Sequence, residues 1–257
     1  MGLKVTILGS GTSSGVPRIG NDWGACDPAE PKNRRTRPSI LVETASTRLL
    51  VDTSPDLREQ LLAAGVIDID AVLWTHDHAD HSHGLDDVRQ LAHHRRSPMP
   101  GYARAETLRL LQRRFVYAFE GHGGYPPIIA GHDLPMEIMI GDIMIHSVDQ
   151  PHGEIFSTGF RFEYDGKSVG YATDFHEVTT AMASLFADID LWVVDGLRRE
   201  PHPSHPHLAL TLDAIAQAKP SRAVLIHMDQ SMDYATLRAT LPPGVEPGYD
   251  GMVVDLS

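Results

Sequence analysis

The 257-residue sequence holds a single cysteine, Cys26, so no intramolecular disulfide can form. Basic residues are also scarce: 22 Lys and Arg stand against 34 Asp and Glu, a net charge of −12. That argues against an extended nucleic-acid partner, because backbone binding needs Lys and Arg to neutralise phosphates. The short basic groups at Arg34, Arg35 and Arg37, and at Arg95-Arg96, read equally well as solvated surface. No apolar run approaches the ~20 residues needed to span a bilayer, so no membrane partner is expected. The opening run Leu3 to Leu8 leads straight into Gly9-Ser10-Gly11 with no h-region or cleavage site. It reads as a first strand and not as a signal peptide, and a cytoplasmic location is the default expectation. There is no low-complexity tract and no Gly/Ser linker, so 1–257 is expected to form a single domain.

What is present is an ordinary apolar fraction, 42%, arranged in short runs between turns. The β-type runs are Lys4–Leu8, Ser39–Glu43, Arg48–Val51, Ala71–Thr75, Ile143–Val148, Ser157–Phe162, Ser168–Thr173, Leu191–Val194 and Ala223–Ile226. Helical periodicity marks Asp56–Ala64, Leu85–Ala92, Ala105–Glu120, Val178–Phe186, Leu208–Ala218 and Asp233–Thr240. Tyr164-Asp165-Gly166-Lys167 reads as a hairpin turn. Hairpins and crossovers together imply an α/β (α+β) sandwich of two mixed sheets with helices outside. The segment 94–135, with Gly121, Gly123, Gly124, Pro126 and Pro127, is expected to be a lid or insert, or else a surface excursion.

Fifteen histidines are present, and their placement is more informative than their number. Thr75-His76-Asp77-His78-Ala79-Asp80-His81 follows an apolar run and packs four potential ligands together. His76 and His78 point the same way in an extended segment. Asp80 and His81 fall where a helix begins and can face a second centre. Imidazole and carboxylate suit Zn²⁺, Mn²⁺ or Fe²⁺. Further ligands are expected at other strand ends. His152 follows the 143–148 run after a short turn, Asp174 directly follows 168–173, and His227 directly follows 223–226. Asp52 and Asp195 also stand at strand ends and are candidates to accept the free N–H of a ligand histidine, or to hold a turn.

The ordered series His76-x-His78-x-Asp80-His81, His152, Asp174 and His227 resembles the metallo-β-lactamase superfamily over nearly the whole chain. With Gly9-Ser10-Gly11-Thr12-Ser13-Ser14-Gly15-Val16-Pro17 and Gly248-Tyr249-Asp250-Gly251-Met252, it is most similar to the phosphoribosyl 1,2-cyclic phosphate phosphodiesterases and their relatives. The resemblance implies a four-layer αββα sandwich and two divalent ions, Zn²⁺ or Mn²⁺. One would be held by His76, His78 and His152, the other by Asp80, His81 and His227, with Asp174 bridging. His146 competes with His152 but lies inside its strand. These phosphodiesterases also carry a structural zinc on C-x-C-x-x-C and a later histidine; the matching positions here are Asn21, Trp23, Cys26 and Gln230, so no such zinc is expected.

The chemistry implied is attack on phosphorus by a metal-activated hydroxide, since a metal lowers the pKa of bound water to about 7. Asp80 is counted as catalytic as well as a ligand. His207, preceding a helix, resembles the family's active-site histidine and is the expected proton donor and substrate contact. Ser13, in the Gly-rich loop, and Arg37 are further substrate-binding candidates, with Arg35 as a weaker clamp. His202 and His205 read as part of a solvated Pro-rich loop, and His83, His93, His94, His122, His132 and His176 as ordinary. The expected substrate is a small phosphodiester, cyclic or linear, or a nucleotide. The alternatives are a tRNA 3′-processing ribonuclease Z, a lactonase or thioesterase, and a non-catalytic metal-binding module. A homodimer is the default for assembly.

Overall fold

The computed structural model describes residues 2–257. Two mixed seven-stranded sheets stack face to face. The first contains β1 (Leu3–Gly9), β2 (Ser39–Glu43), β3 (Arg48–Val51), β4 (Ala71–Leu73), β5 (Met99–Ala103) and β6 (Ile129–Asp133), closed at one edge by the last strand, β14 (Met252–Leu256). The second contains β7 (Glu137–Ile140), β8 (Ile143–His152), β9 (Ile155–Tyr164), β10 (Lys167–Ala172), β11 (Leu191–Asp195), β12 (Arg222–Ile226) and β13 (Val245–Pro247). Strands β3 to β6 run parallel, as do β10 to β13; the remaining pairs are antiparallel.

Period-two alternation explains the layers. Val5, Ile7, Ile40, Val42, Leu49 and Val51 face inward and meet Ile143, Ile145, Phe160, Phe162, Tyr171 and Val193 of the other sheet. The alternate residues Leu41, Leu50, Val72 and Trp74 face outward. They are covered by α1 (Leu57–Ala63), α3 (Val88–Arg95), α4 (Ala105–Arg114) and α5 (Val116–Glu120), with the one-turn α2 (Ala79–Ser82) at the sandwich end. On the second sheet Trp192, Val194 and Leu225 lie under α6 (Thr180–Leu185), α7 (Leu208–Ala218) and α8 (Tyr234–Thr240). The αββα expectation therefore holds.

The segment 94–135 departs from the expected lid or insert. It contributes β5 and β6, two strands of the first sheet, and the α4–α5 pair that buries Leu108, Leu111 and Ala118. Gly121, Gly123, Gly124, Pro126 and Pro127 cluster in the turn before β6, while Pro100, Gly101 and Gly131 lie within the two strands. The single helix expected over Ala105–Glu120 is broken at Phe115, whose φ of −119° and ψ of 42° are not helical. Among the described residues, no helix is long and apolar enough to cross a membrane.

Candidate metal centre

The carboxyl ends of β3, β4, β10, β11 and β12 converge, the place where α/β sheets gather ligands. Three of the residues there adopt left-handed backbone: Asp52 (φ 63°), Asp174 (φ 55°) and His227 (φ 58°). Such conformations are costly for non-glycine residues and concentrate at functional sites. Each turns the chain sharply off its strand and aims the side chain into the cluster.

His76, His78, His152 and Asp174 each offer a ligand atom within 4.8 Å of the others, and so do Asp80, His81 and His227. Asp174 faces both sets. Its Oδ1 is 3.5 Å from His152 Nε2 and 3.9 Å from His76 Nε2, while its Oδ2 is 3.1 Å from His81 Nε2 and 3.5 Å from His227 Nε2. Asp80 Oδ2 lies 3.5 Å from His81 Nε2 and 3.4 Å from His227 Nε2. All seven expected ligands are thus brought together.

The donor set fits divalent ions. His76 Nε2 is buried and has no hydrogen-bond partner, a costly state for a polar atom unless a cation takes the lone pair, and His81 Nε2 points between the carboxylates of Asp174 and Asp80. His78 Nδ1 and His152 Nε2 stand 3.3 Å apart, two ring nitrogens converging on one point. The opposite nitrogens are held from behind, which orients each ring. His152 Nδ1–H donates to Ser204 O at 2.7 Å. His81 Nδ1–H donates to Asp52 Oδ2 at 2.7 Å, and Asp52 also accepts from the Thr75 N–H and hydroxyl. Asp52 therefore has the supporting role expected of it. Asp195 Oδ2 accepts from the Asp174 N–H at 3.0 Å and lies 3.7 Å from His227 Nδ1.

The site's own groups form a network of opposed charges. Burial alone would lower His81, but Asp174, Asp80 and Asp52 outweigh it and hold the ring well above its ordinary value. Burial is likewise outweighed at His227 by Asp174, Asp195 and Asp80, which push it up to about 9. Burial and the neighbouring His81 keep His76 well below the ordinary value. Asp174 is held well below the usual carboxylate range: burial, which would raise it, is overcome by His227, His81 and His76.

The loop histidine that reaches the cluster is His205, and not the expected His207. His205 Nδ1 is 3.3 Å from Asp195 Oδ2 and 3.5 Å from Asp174 Oδ1. Its ring stacks on His227 at 5.0 Å and 14°, and its edge meets His152 at 4.7 Å. His207 is the N-cap of α7 and pairs through its backbone with Arg198. The prolines at 201, 203 and 206, which stiffen this loop, are the signal in the sequence for a fixed histidine there.

Ser13 is exposed on the Gly-rich loop, beside the site, because Thr12 N–H donates to Met228 O next to His227. Arg37 is engaged elsewhere, with its Nε on Asp56 at 2.9 Å. Arg35 is buried, 2% exposed, and donates to the carbonyls of Asp229 and Met232. It braces the loop after His227 and does not clamp a ligand; Cys26 Sγ lies 3.7 Å from its Nη1. His146 sits between Glu137 and Glu163, away from the cluster. A separate groove of about 610 Å³ beside α1, lined by Thr6, Gln60 and Asp250, includes none of the ligands.

Residues 47–228 match the family described as the beta-lactamase superfamily domain. A crystal structure of a "new diphosphatase from the PhnP family" superimposes with a TM-score of 0.91 at 34% identity, covering 100% of this chain and 98% of that one. The octanoyltransferase of Porphyromonas gingivalis is 33% identical over 97% of this chain but only 51% of its own length. Ribonuclease Z of Methanopyrus kandleri is 38% identical over 49% of this chain and 43% of its own. The chain thus spans about half the length of these curated relatives, and the activities in their names belong to the longer proteins. Shared architecture, the seven-residue cluster and near-complete overlap with the diphosphatase converge on one conclusion: the chain belongs to the beta-lactamase superfamily of metal-dependent hydrolases and, with that diphosphatase, to the PhnP family.

Proposed function

We propose that the protein hydrolyses a small phosphodiester, cyclic or linear, using two divalent ions, Zn²⁺ or Mn²⁺. The observation that carries this reading is the Asp174 carboxylate, with one oxygen toward His76 and His152 and the other toward His81 and His227. That split suits a group shared by two cations. His76, His78 and His152 would hold one ion, and Asp80, His81 and His227 the other. When bound, such a pair supplies positive charge for the phosphoryl oxygens and a water of pKa about 7.

The chain's own residues do the rest. His205, with Nδ1 toward Asp195 and Asp174, holds the proton that the leaving alkoxide takes, the role the sequence had pointed to at His207. Asp195 fixes both that ring and the Asp174 backbone. Ser13 and the amides around it lie where a substrate phosphoryl oxygen can be received. Ser13 and Ser14 act by position and not as nucleophiles.

The PhnP-family relative is named a diphosphatase, which favours a second reading: cleavage of a phosphoric anhydride at the same centre. A ribonuclease Z activity has weaker support. The net charge of −12 opposes binding along a long RNA backbone. Lactones and thioesters are the remaining class of substrate for such a centre.

The deciding experiment assays the purified chain, reconstituted with Zn²⁺ or Mn²⁺, on ribose 1,2-cyclic phosphate, 2′,3′- and 3′,5′-cyclic nucleotides, dinucleoside diphosphates, a lactone and a thioester. Phosphodiester turnover that disappears in Asp174→Ala is expected. Turnover confined to the anhydrides moves the reading to a diphosphatase, and turnover confined to the acyl substrates overturns it.

A further inference from the structure

We infer that Phe156 is a stacking platform for an aromatic base, so that the substrate is a nucleotide and not a bare sugar phosphate. The inference rests on the phosphoester reading above. Phe156 is 64% exposed, whereas Phe is among the residues most often buried. A lone exposed apolar residue is unremarkable on a protein surface; what distinguishes this one is its place.

Phe156 lies in β9 opposite Pro151 of β8, one residue from the ligand His152. The hairpin holding it is tied down: Gly153 N–H donates to His176 Nδ1, and His176 N–H to Pro151 O. Side chains alternate along a strand, so Phe156 shares a face with Thr158, Phe160 and Phe162. Phe160 and Phe162 pack in the core between the sheets, so this face looks toward the first sheet. Thr158 N–H donates across to Thr75 O at 2.9 Å. Thr75 leads directly into His76, Asp77 and His78, and His78 is itself exposed. Phe156, two residues past Thr158 toward the strand end, therefore stands at the mouth of the centre on the His78 side.

Two guanidinium groups flank the same side. Arg104 Nε binds Asp149, the cross-strand partner of Thr158, at 2.7 Å. Arg114 Nη2 binds Asp77 at 2.7 Å. A solvent-facing ring on a braced hairpin beside a phosphoester-cleaving centre is the chemistry that takes a nucleobase, since every base has a π-face to stack. A sugar phosphate without a base leaves the ring uncovered.

The test compares wild type, Phe156→Ala and Phe156→Tyr, all metal-loaded and full length. Calorimetry measures binding of AMP and of ribose 5-phosphate, and kcat/KM is measured on 2′,3′-cyclic AMP and on ribose 1,2-cyclic phosphate. Wild type is expected to prefer AMP over ribose 5-phosphate by about tenfold, the scale of one base–aromatic stack. Phe156→Ala should lose that preference while keeping its ribose 5-phosphate affinity and metal content, and Phe156→Tyr should restore it. Equal binding of the two ligands by wild type, no binding of AMP, or an undiminished preference in Phe156→Ala overturns the inference. If the preference behaves as expected but neither ester turns over, the base site stands and the phosphodiester reading alone fails.

Discussion

At the scale of single residues, the centre is made by side chains whose backbones are bent to present them. Asp52, Asp174 and His227 all carry positive φ, a feature no composition or motif announces. His205 is similar: by sequence it is one of three histidines in a Pro-rich loop, and only its contact with Asp174 and Asp195 distinguishes it. His205→Gln should lower kcat by about 10²–10⁴-fold, the usual scale of a lost general acid. Its metal content by atomic absorption should stay unchanged, because all seven candidate ligands remain. His207→Gln should leave kcat near wild type. The reverse pattern would return the proton-donor role to His207.

At the scale of elements, the short links after β3, β4 and β10 act as a brace. Asp52, just past β3, holds Thr75 after β4 and His81 in α2 at once. Thr53 N–H also donates to His81 O, so the first helical turn of the motif is fixed to the neighbouring strand. Asp52→Asn replaces one acceptor oxygen with a donor and breaks the orientation of His81. It should weaken metal binding by about 10–100-fold, the scale of losing such a supporting carboxylate. Competition with a chromogenic chelator measures this, and circular dichroism should show the fold retained. Unaltered affinity would mean that Thr75 and the backbone suffice to aim the ring. Asp250 performs a comparable service at the other end of the sequence. It accepts from the N–H and hydroxyl of both Ser10 and Thr36, and so ties the Gly-Tyr-Asp-Gly motif to the Gly-rich loop.

At the scale of the whole molecule, two sheets deliver ligands from opposite halves of the chain to one end of the sandwich. The fold thus brings the acids and imidazoles together at that end. In the metal-free protein His227, pushed up to about 9 from an ordinary 6.5, is stabilising when protonated. That contribution is complete below about pH 6.5 and is lost as pH rises through about 9. The Tm of the metal-free chain should therefore fall across this window. A chain loaded with Zn²⁺ or Mn²⁺ should hold its Tm there, because the cation replaces the proton and binding stabilises the native state. Loading near pH 7.5 in weak buffer should release protons, from His227 and from His81, which is also held above its ordinary value. A metal-free Tm that rises from pH 6.5 to 9, or loading without proton release, would contradict this account.

Much of this was legible in the sequence. The sequence located nine strands, including β2 (Ser39–Glu43) and β3 (Arg48–Val51) with their bounds, because they are short apolar runs between turns, and α7 (Leu208–Ala218), because its apolar residues recur with helical period. The ligands were legible because metal chemistry restricts them to few residue types, at strand ends and at tight spacing. Strands β5, β6, β7, β13 and β14 were not: they are short, carry proline or glycine, or lie at sheet edges where one face is exposed. Their state is set by the neighbours they pair with and not by local propensity. The sequence by itself determined the class of fold and which histidines and carboxylates are candidates to hold metal. Tertiary structure alone decided that Arg37 serves Asp56, that His205 and not His207 enters the centre, and that Asp174 faces both ligand sets. Those outcomes depend on distances between residues far apart in the chain, which only packing fixes.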